Sequence, residues 1–228
     1  MHVIVDIGLY REGARVLTPG ATLEEVAEAA TGDNDFVWVG LHAPHATELA
    51  RVANAFNLHP LAVEDALSAH QRPKLERYDD SLFMVLKTLW YVDATDAVET
   101  GEINLFVGAK FVVSVRHGEG GALADARKLL EHRESVLRHG PSSVVYAVTD
   151  RVVDAYEQVA ACLVEDVDEV ERSVFSEERT NDSKRIYLLK RELGEMRRAV
   201  QPLREPLFRF TTGGVPGIDP DAGPYFRD

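Results

Sequence analysis

Cysteine is almost absent from this sequence: Cys162 is the only one in 228 residues. An internal disulfide framework is excluded, and a reducing compartment fits. Positive charge is also in short supply. Lys and Arg number 25 against 38 Asp and Glu, for a net charge of −13. That balance disfavours nucleic acid as a partner and favours cations. No window reaches the ~18 apolar residues of a membrane span. The N-terminus, MHVIVDIGLY, has no basic segment ahead of a long apolar one, so no signal peptide is expected. Catalytic signatures are missing too. HGEGG at 117–121 lacks the lysine and hydroxyl of a phosphate-binding loop, and no nucleophile elbow occurs. Cys162 falls on an apolar helix face, a poor setting for a nucleophile. HAPH places His42 and His45 three apart, but Pro44 intervenes and no cysteine pair is near, a poor zinc pattern.

What is present reads as a globular chain with 45% hydrophobic residues and a sizeable core. Strands are expected at 3–10, 36–41, 82–91, 102–107 and 110–116, all rich in Val, Ile, Leu and aromatics. GEINLFVGAKFVVSVR reads as a hairpin turning at Gly108-Ala109. Runs such as LFMVL and FVV are apolar on consecutive residues, which predicts a sheet covered on both faces. Short helices are expected between them, at 23–30, 45–56 and 60–69. From Gly121 on, the sequence turns helical. One helix is expected over 122–138. A second begins after HGPSS, with apolar residues at Val152, Tyr156, Val159, Leu163, Val167, Val170 and Val174. A third carries Ile186, Leu189, Leu193, Met196, Val200 and Leu203 at strict three-four spacing. These two stripes predict a long antiparallel hairpin. Its first arm, 151–172, has seven acids and two bases; its second, 182–209, has eight bases and four acids. The Gly/Pro-rich tail TTGGVPGIDPDAGP leads to YFRD, where an aromatic pair stands just before the last residue and suggests a fragment of a longer chain.

The chemical candidates are acids. HPLAVEDALSAHQRPKLER (59–77) sets Glu64 and Asp65 side by side on a short helix between Pro60 and Pro73. At 100° per residue they share one side with Ser68 and Leu61, away from Ala62, Val63, Ala66 and Leu67. This is either a solvated polar face or part of a site for a hard cation, which takes carboxylate oxygens. Two acids alone would leave the ion its waters or require ligands from elsewhere. Asp150, Asp154, Glu157, Glu165 and Asp168 form an acidic stripe opposite the apolar one; solvent or shared cations would both account for it.

Residues 59–91 resemble the pre-sheet helix and following strand of the CorA family of magnesium and cobalt channels, most specifically through HQRPK. LKRELGEMRRAVQPLREPL (189–207) resembles that family's third cytosolic helix, DRVVDAY (150–156) the helix before it, and PYFRD (224–228) the start of its stalk helix. The resemblance implies a three-layer α/β/α domain with a mixed sheet, α+β in type, followed by the long helical hairpin. It implies a single cytosolic domain over 1–228: mainly sheet to 120, helical over 121–210, and a linker with the stalk's start over 211–228. Two membrane helices and a Gly-Met-Asn pore signature would follow in a pentamer. By position, Asp65 matches an acid that binds a divalent ion with the YFRD aspartate of a neighbouring subunit, here Asp228. Glu64 and Asp150 match acids of a second ion site. The implied ligand is Mg2+, or Co2+ at the same sites, and the implied partner is another copy of the chain. A zinc-exporting relative and a metal-dependent hydrolase built on Glu64, Asp65 and a histidine are the competing readings.

Overall fold

The structure, a computed structural model, describes residues 4–16, 18–119, 123–176 and 182–227. Seven strands form one sheet: β1 (Ile4–Arg11), β2 (Ala14–Val16), β3 (Phe36–His42), β4 (Lys74–Tyr78), β5 (Ser81–Val92), β6 (Ala97–Gly108) and β7 (Phe111–His117). Their order is β2-β1-β3-β7-β6-β5-β4. The central β3–β7 pair is parallel and the others are antiparallel, so the sheet is mixed.

The consecutive apolar residues do cover both faces. Phe36 and Trp38, Leu82, Met84 and Leu86, and Ile103, Leu105 and Val107 point into one core. Their neighbours Val37 and Val39, Phe83 and Val85, and Phe106 point into a second. Side chains alternate across a strand, so such runs require a layer on each side. On one face lie α1 (Leu23–Ala29), α2 (Ala46–Phe56) and α3 (Pro60–Ser68). On the other lie α4 (Leu123–Glu131), α5 (Glu134–Leu137), α6 (Pro141–Val174), α7 (Ser183–Val200) and α8 (Arg204–Thr211). The fold is the expected three-layer α/β/α sandwich.

Several elements differ from the sequence reading. The hairpin pairs Gly108 with Phe111, so its two-residue turn is Ala109-Lys110. Two strands, β2 and β4, were not expected. β2 follows a tight turn in which Glu12 and Gly13 both have positive φ (48° and 80°), the backbone of a type I′ hairpin. β4 is an edge strand reading KLERY, and its charges disguise it. The helix expected over 122–138 is two helices. The His132 ring bonds the Lys128 carbonyl (2.6 Å), and the amides of His132 and Arg133 bond three residues back. These contacts end α4 one turn before α5 begins.

The α6–α7 hairpin is antiparallel. Arg185 pairs with Glu169, and Ser173 donates to Asp182 (3.1 Å). Val152, Tyr156, Val159, Leu163 and Val170 of α6 are buried. On α7 the buried line is rotated from the expected one. Ala199 and Leu203 are buried, and Leu189 and Met196 pack against that core. Ile186, Leu193 and Val200 are 46%, 44% and 38% exposed. The physical cause is Glu192. Its carboxylate turns inward to accept the Val98 amide (3.0 Å) and is held by Arg191 (3.0 Å), which brings position 192 rather than 193 to the sheet. Pro202 then breaks the helix into a short 3-10 turn before α8.

The C-terminal segment is clamped onto the same layer. Asp219 takes a bond from the His139 ring (2.6 Å) and donates its amide to Ser142 Oγ (2.8 Å). Tyr225 and Phe226 form one 3-10 turn whose rings lie 5.5 Å and 6.0 Å from Tyr146, with Phe226 also 5.0 Å from Phe210.

Candidate divalent-cation sites

The helix α3 is set by its ends. Pro60 occupies the first turn, where no amide is needed, and His59 Nδ1 accepts the Leu61 amide (3.3 Å). The His59 ring also stacks on Tyr78 of β4 (4.3 Å between centroids). Ala62 and Ala66 are buried against the sheet. That anchoring turns Glu64, Leu61 and Ser68 to solvent and leaves Asp65 half-buried at the sheet edge. The helical periodicity had predicted this side.

Asp65 is not free. Its Oδ2 lies 2.7 Å from Lys74 Nζ, and the same ammonium lies 2.7 Å from Glu76 Oε2 on β4. Tyr78 donates to that carboxylate as well (2.9 Å). Burial disfavours the charged Lys74, but its hydrogen bonds to Asp65 and Glu76 outweigh burial and raise its pKa. The ammonium therefore sits between two carboxylates, a position that a divalent cation could take in its place. Lys74 and Glu76 were missed from the sequence. The signal was there: two residues apart in a strand, they share a face.

The side chain of Glu64 has no ion pair among the described residues. Asp150 lies elsewhere in the fold. It is half-buried on α6, in a small cleft of about 110 Å³ against α4, beside Arg133, Arg151 and Asp154. α6 and α3 belong to opposite layers, so a single chain does not bring Asp150 to Glu64 and Asp65. Of the acidic stripe, Asp154, Glu157, Glu165 and Asp168 are exposed. Asp228 lies outside the described residues. Among the described residues, no three His, Cys, Asp or Glu side chains converge as a metal site. Completing a cation site at the acids of α3 takes further ligands or water.

The hydrolase reading fails on the same geometry. Glu64 faces solvent, Asp65 is neutralised by Lys74, and His59 is occupied as a helix cap stacked on Tyr78.

A mixed seven-stranded sheet between two helical layers thus carries the α3 carboxylates at its edge. The family profile described as "CorA-like Mg2+ transporter protein" matches residues 33–228, and the chain belongs to that family. The cobalt/magnesium transport protein CorA of Thermotoga maritima is 28% identical over 237 residues, covering 99% of this chain and 68% of its own length. The magnesium transporter ALR1 of Saccharomyces cerevisiae is 25% identical over 167 residues, covering 73% of this chain but 19% of its own. Among solved structures, the full-length CmaX protein superposes with a TM-score of 0.77 at 20% identity, over 98% of this chain and 68% of that one. The soluble domain of CorA from Methanocaldococcus jannaschii gives 0.70 at 13% identity, over 100% and 88%. The ZntB cytoplasmic domain from Vibrio parahaemolyticus gives 0.65 at 14%, over 84% and 75%. The chain thus spans about two thirds of the Thermotoga protein. The matched relatives are named as transporters of metal ions, not as enzymes. Among the described residues, no helix is long and apolar enough to cross a membrane.

Lys74 makes the cation reading testable at one atom. Lys74→Met in the full-length protein removes the competing ammonium. If Mg2+ binds at Asp65, this should lower the Mg2+ concentration for half-maximal thermal stabilisation by about two- to fivefold, the equivalent of a partly exposed ion pair of ~0.5–1 kcal/mol. An unchanged midpoint would show that Asp65 does not meet the ion.

Proposed function

We propose that this chain is the cytosolic, Mg2+-sensing part of a CorA-type divalent-cation channel that carries magnesium or cobalt ions across the membrane as a homopentamer. It lies on the cytoplasmic face, joined to the pore through a stalk that continues from its C-terminal end. One observation carries the reading: α3 presents Glu64 and Asp65 at a sheet edge, and among the described residues no three His, Cys, Asp or Glu side chains converge there. A neighbouring subunit supplies the rest. Asp228 of that subunit meets Asp65 at one ion, and Glu64 with Asp150 across the boundary holds another. When cytosolic Mg2+ is high, the bound ions screen these facing acids and hold the ring closed. When it is low the ions leave, the carboxylates repel, and the population shifts to the open ring. The same domain architecture in ZntB keeps a zinc transporter as the second reading. Uptake of Mg2+, Co2+ and Zn2+ by the full-length protein in a depleted strain separates the two. Mg2+ or Co2+ uptake that high cytosolic Mg2+ shuts down supports the proposal, and zinc-selective transport overturns it.

A further inference from the structure

The chain is acidic overall, yet one cleft is strongly basic. It lies between residues 70–73 after α3, Lys87 on β5 and the end of α7, with a volume of about 630 Å³. His70, Arg72, Lys87, Arg197 and Arg198 line it, with Glu195 as the only carboxylate. That carboxylate is engaged by Arg198 (2.5 Å). Arg197 bonds only the neutral Gln201 amide oxygen (3.2 Å), and Arg72 and Lys87 have no carboxylate partner among the described residues. Buried Glu102 stands directly across from Lys87 on the neighbouring strand β6, but its two oxygens are taken by other donors. It accepts the Gln71 amide (2.7 Å) and the Asn104 side-chain amide (3.0 Å).

That hydrogen bond explains the HQRPK segment. Ala69 and His70 are consecutive non-glycine residues with positive φ (47° and 59°), a conformation that survives only where surroundings fix it. The buried Glu102 pins the next amide, and Pro73 is buried behind it. Arg72 is held at the mouth of the cleft rather than left on a loose loop. Three cations without an ion pair among the described residues, Arg72, Lys87 and Arg197, line one concavity in a protein of net charge −13. Their mutual repulsion is relieved when an anion sits among them.

We infer that this cleft binds a small phosphate-bearing anion. Guanidinium forks and an ammonium match the clustered oxygens of phosphate better than an isolated carboxylate. The volume falls in the range of small-molecule sites, about 300–1,000 Å³. It is a concave cleft, whereas a protein partner needs a broad surface of roughly 1,000 Å² or more. The inference stands on groups distinct from the acids of α3 and does not depend on the channel reading.

The test is calorimetric titration of the Mg2+-free chain at low ionic strength with inorganic phosphate, pyrophosphate and ATP. Saturable one-to-one binding is expected, weakening as salt rises. Arg72→Ala should reduce affinity about tenfold, the loss of one charge-assisted contact. Arg72→Ala with Lys87→Met should reduce it further. Arg204→Ala, a basic residue outside the cleft, should leave it unchanged. Comparable affinity for pyrophosphate and ATP assigns recognition to phosphate alone, while binding of ATP only assigns the site to a nucleotide. Arg72 is exposed, so its variant folds and decides the matter alone if Lys87→Met does not. The proposal is overturned if none of the three anions saturates, if Arg72→Ala binds as the parent does, or if Arg204→Ala weakens binding equally. It is overturned as well if the cleft proves covered by a second copy that anions do not displace.

Discussion

Trp38→Ala should destabilise the domain by about 3–5 kcal/mol, the usual cost of removing a buried large aromatic. Trp38 sits on the central strand β3, fully buried, and connects three kinds of interaction. Its ring packs in the helical-layer core with Phe36 and Tyr10. Its Nε1–H donates to Ser114 Oγ (3.1 Å) on β7, across the parallel pair. The Arg127 guanidinium of α4 stacks on its face, 3.9 Å from the centroid, and donates to its carbonyl (3.3 Å). Arg127 is itself buried, and burial lowers its pKa. Among the described residues its ion-pair partner is Asp6, 3.0 Å away. Alanine at 38 therefore opens a cavity and strips a buried cation of its aromatic face, worth about 2 kcal/mol when desolvated. Trp38→Phe keeps most of the apolar volume and the stacking. It should cost roughly half as much, mainly the Ser114 bond and the smaller ring. Urea unfolding with a common slope reads both variants. Equal losses for the two would mean that the indole N–H, not packing, dominates at this site.

The layers were legible in the sequence because hydrophobic periodicity reports which faces of an element are covered. Phe83 and Met84, or Val112 and Val113, could be adjacent and apolar only in a strand buried on both sides. β4 was hidden because an edge strand needs charge to stay unpaired, and charge reads as loop. Of the stripe expected along α7 and the turn after it, Leu189, Met196 and Leu203 meet the core while Ile186, Leu193 and Val200 do not. A carboxylate at Glu192 outweighed Leu193 for the inward position, since an unpaired Val98 amide at the sheet's end would cost more than an exposed leucine. The same logic governs the candidate site. The helical angle placed Glu64 and Asp65 on one outward side, and there they are. Their partner Lys74 was overlooked, because its shared face with Glu76 shows only once KLERY is read as a strand, and charge had concealed that strand. The basic cleft was out of reach for another reason. Arg72, Lys87 and Arg197 are far apart in sequence and meet only through the sheet and the α6–α7 hairpin.

The largest ligand effect should fall on Asp65. If ions bind between copies at α3, Mg2+ at about 100 times its Kd stabilises the assembled protein by about 2.7 kcal/mol per site, provided it binds the folded form alone. For a domain of this length that is roughly a 5–10 °C rise in melting temperature. The full-length protein should show this rise in full. The chain 1–228 should show less if the site draws ligands from an assembled neighbour. Asp65→Asn should remove most of the rise, and Glu64→Gln should remove a smaller part. Asp65 is half-buried and its carboxylate already holds one cation, Lys74, at 2.7 Å, whereas Glu64 faces water. Without Mg2+, Asp65→Asn also loses the Lys74 pair, a cost of ~1 kcal/mol or less. Lys74→Met combined with Asp65→Asn separates the two contributions. In that double variant the ammonium no longer competes, so a Mg2+ response that stays absent assigns the lost rise to the missing carboxylate itself. A rise of parental size in Asp65→Asn, with the assembly intact, would mean that the ion sits elsewhere and that α3 is only a solvated edge.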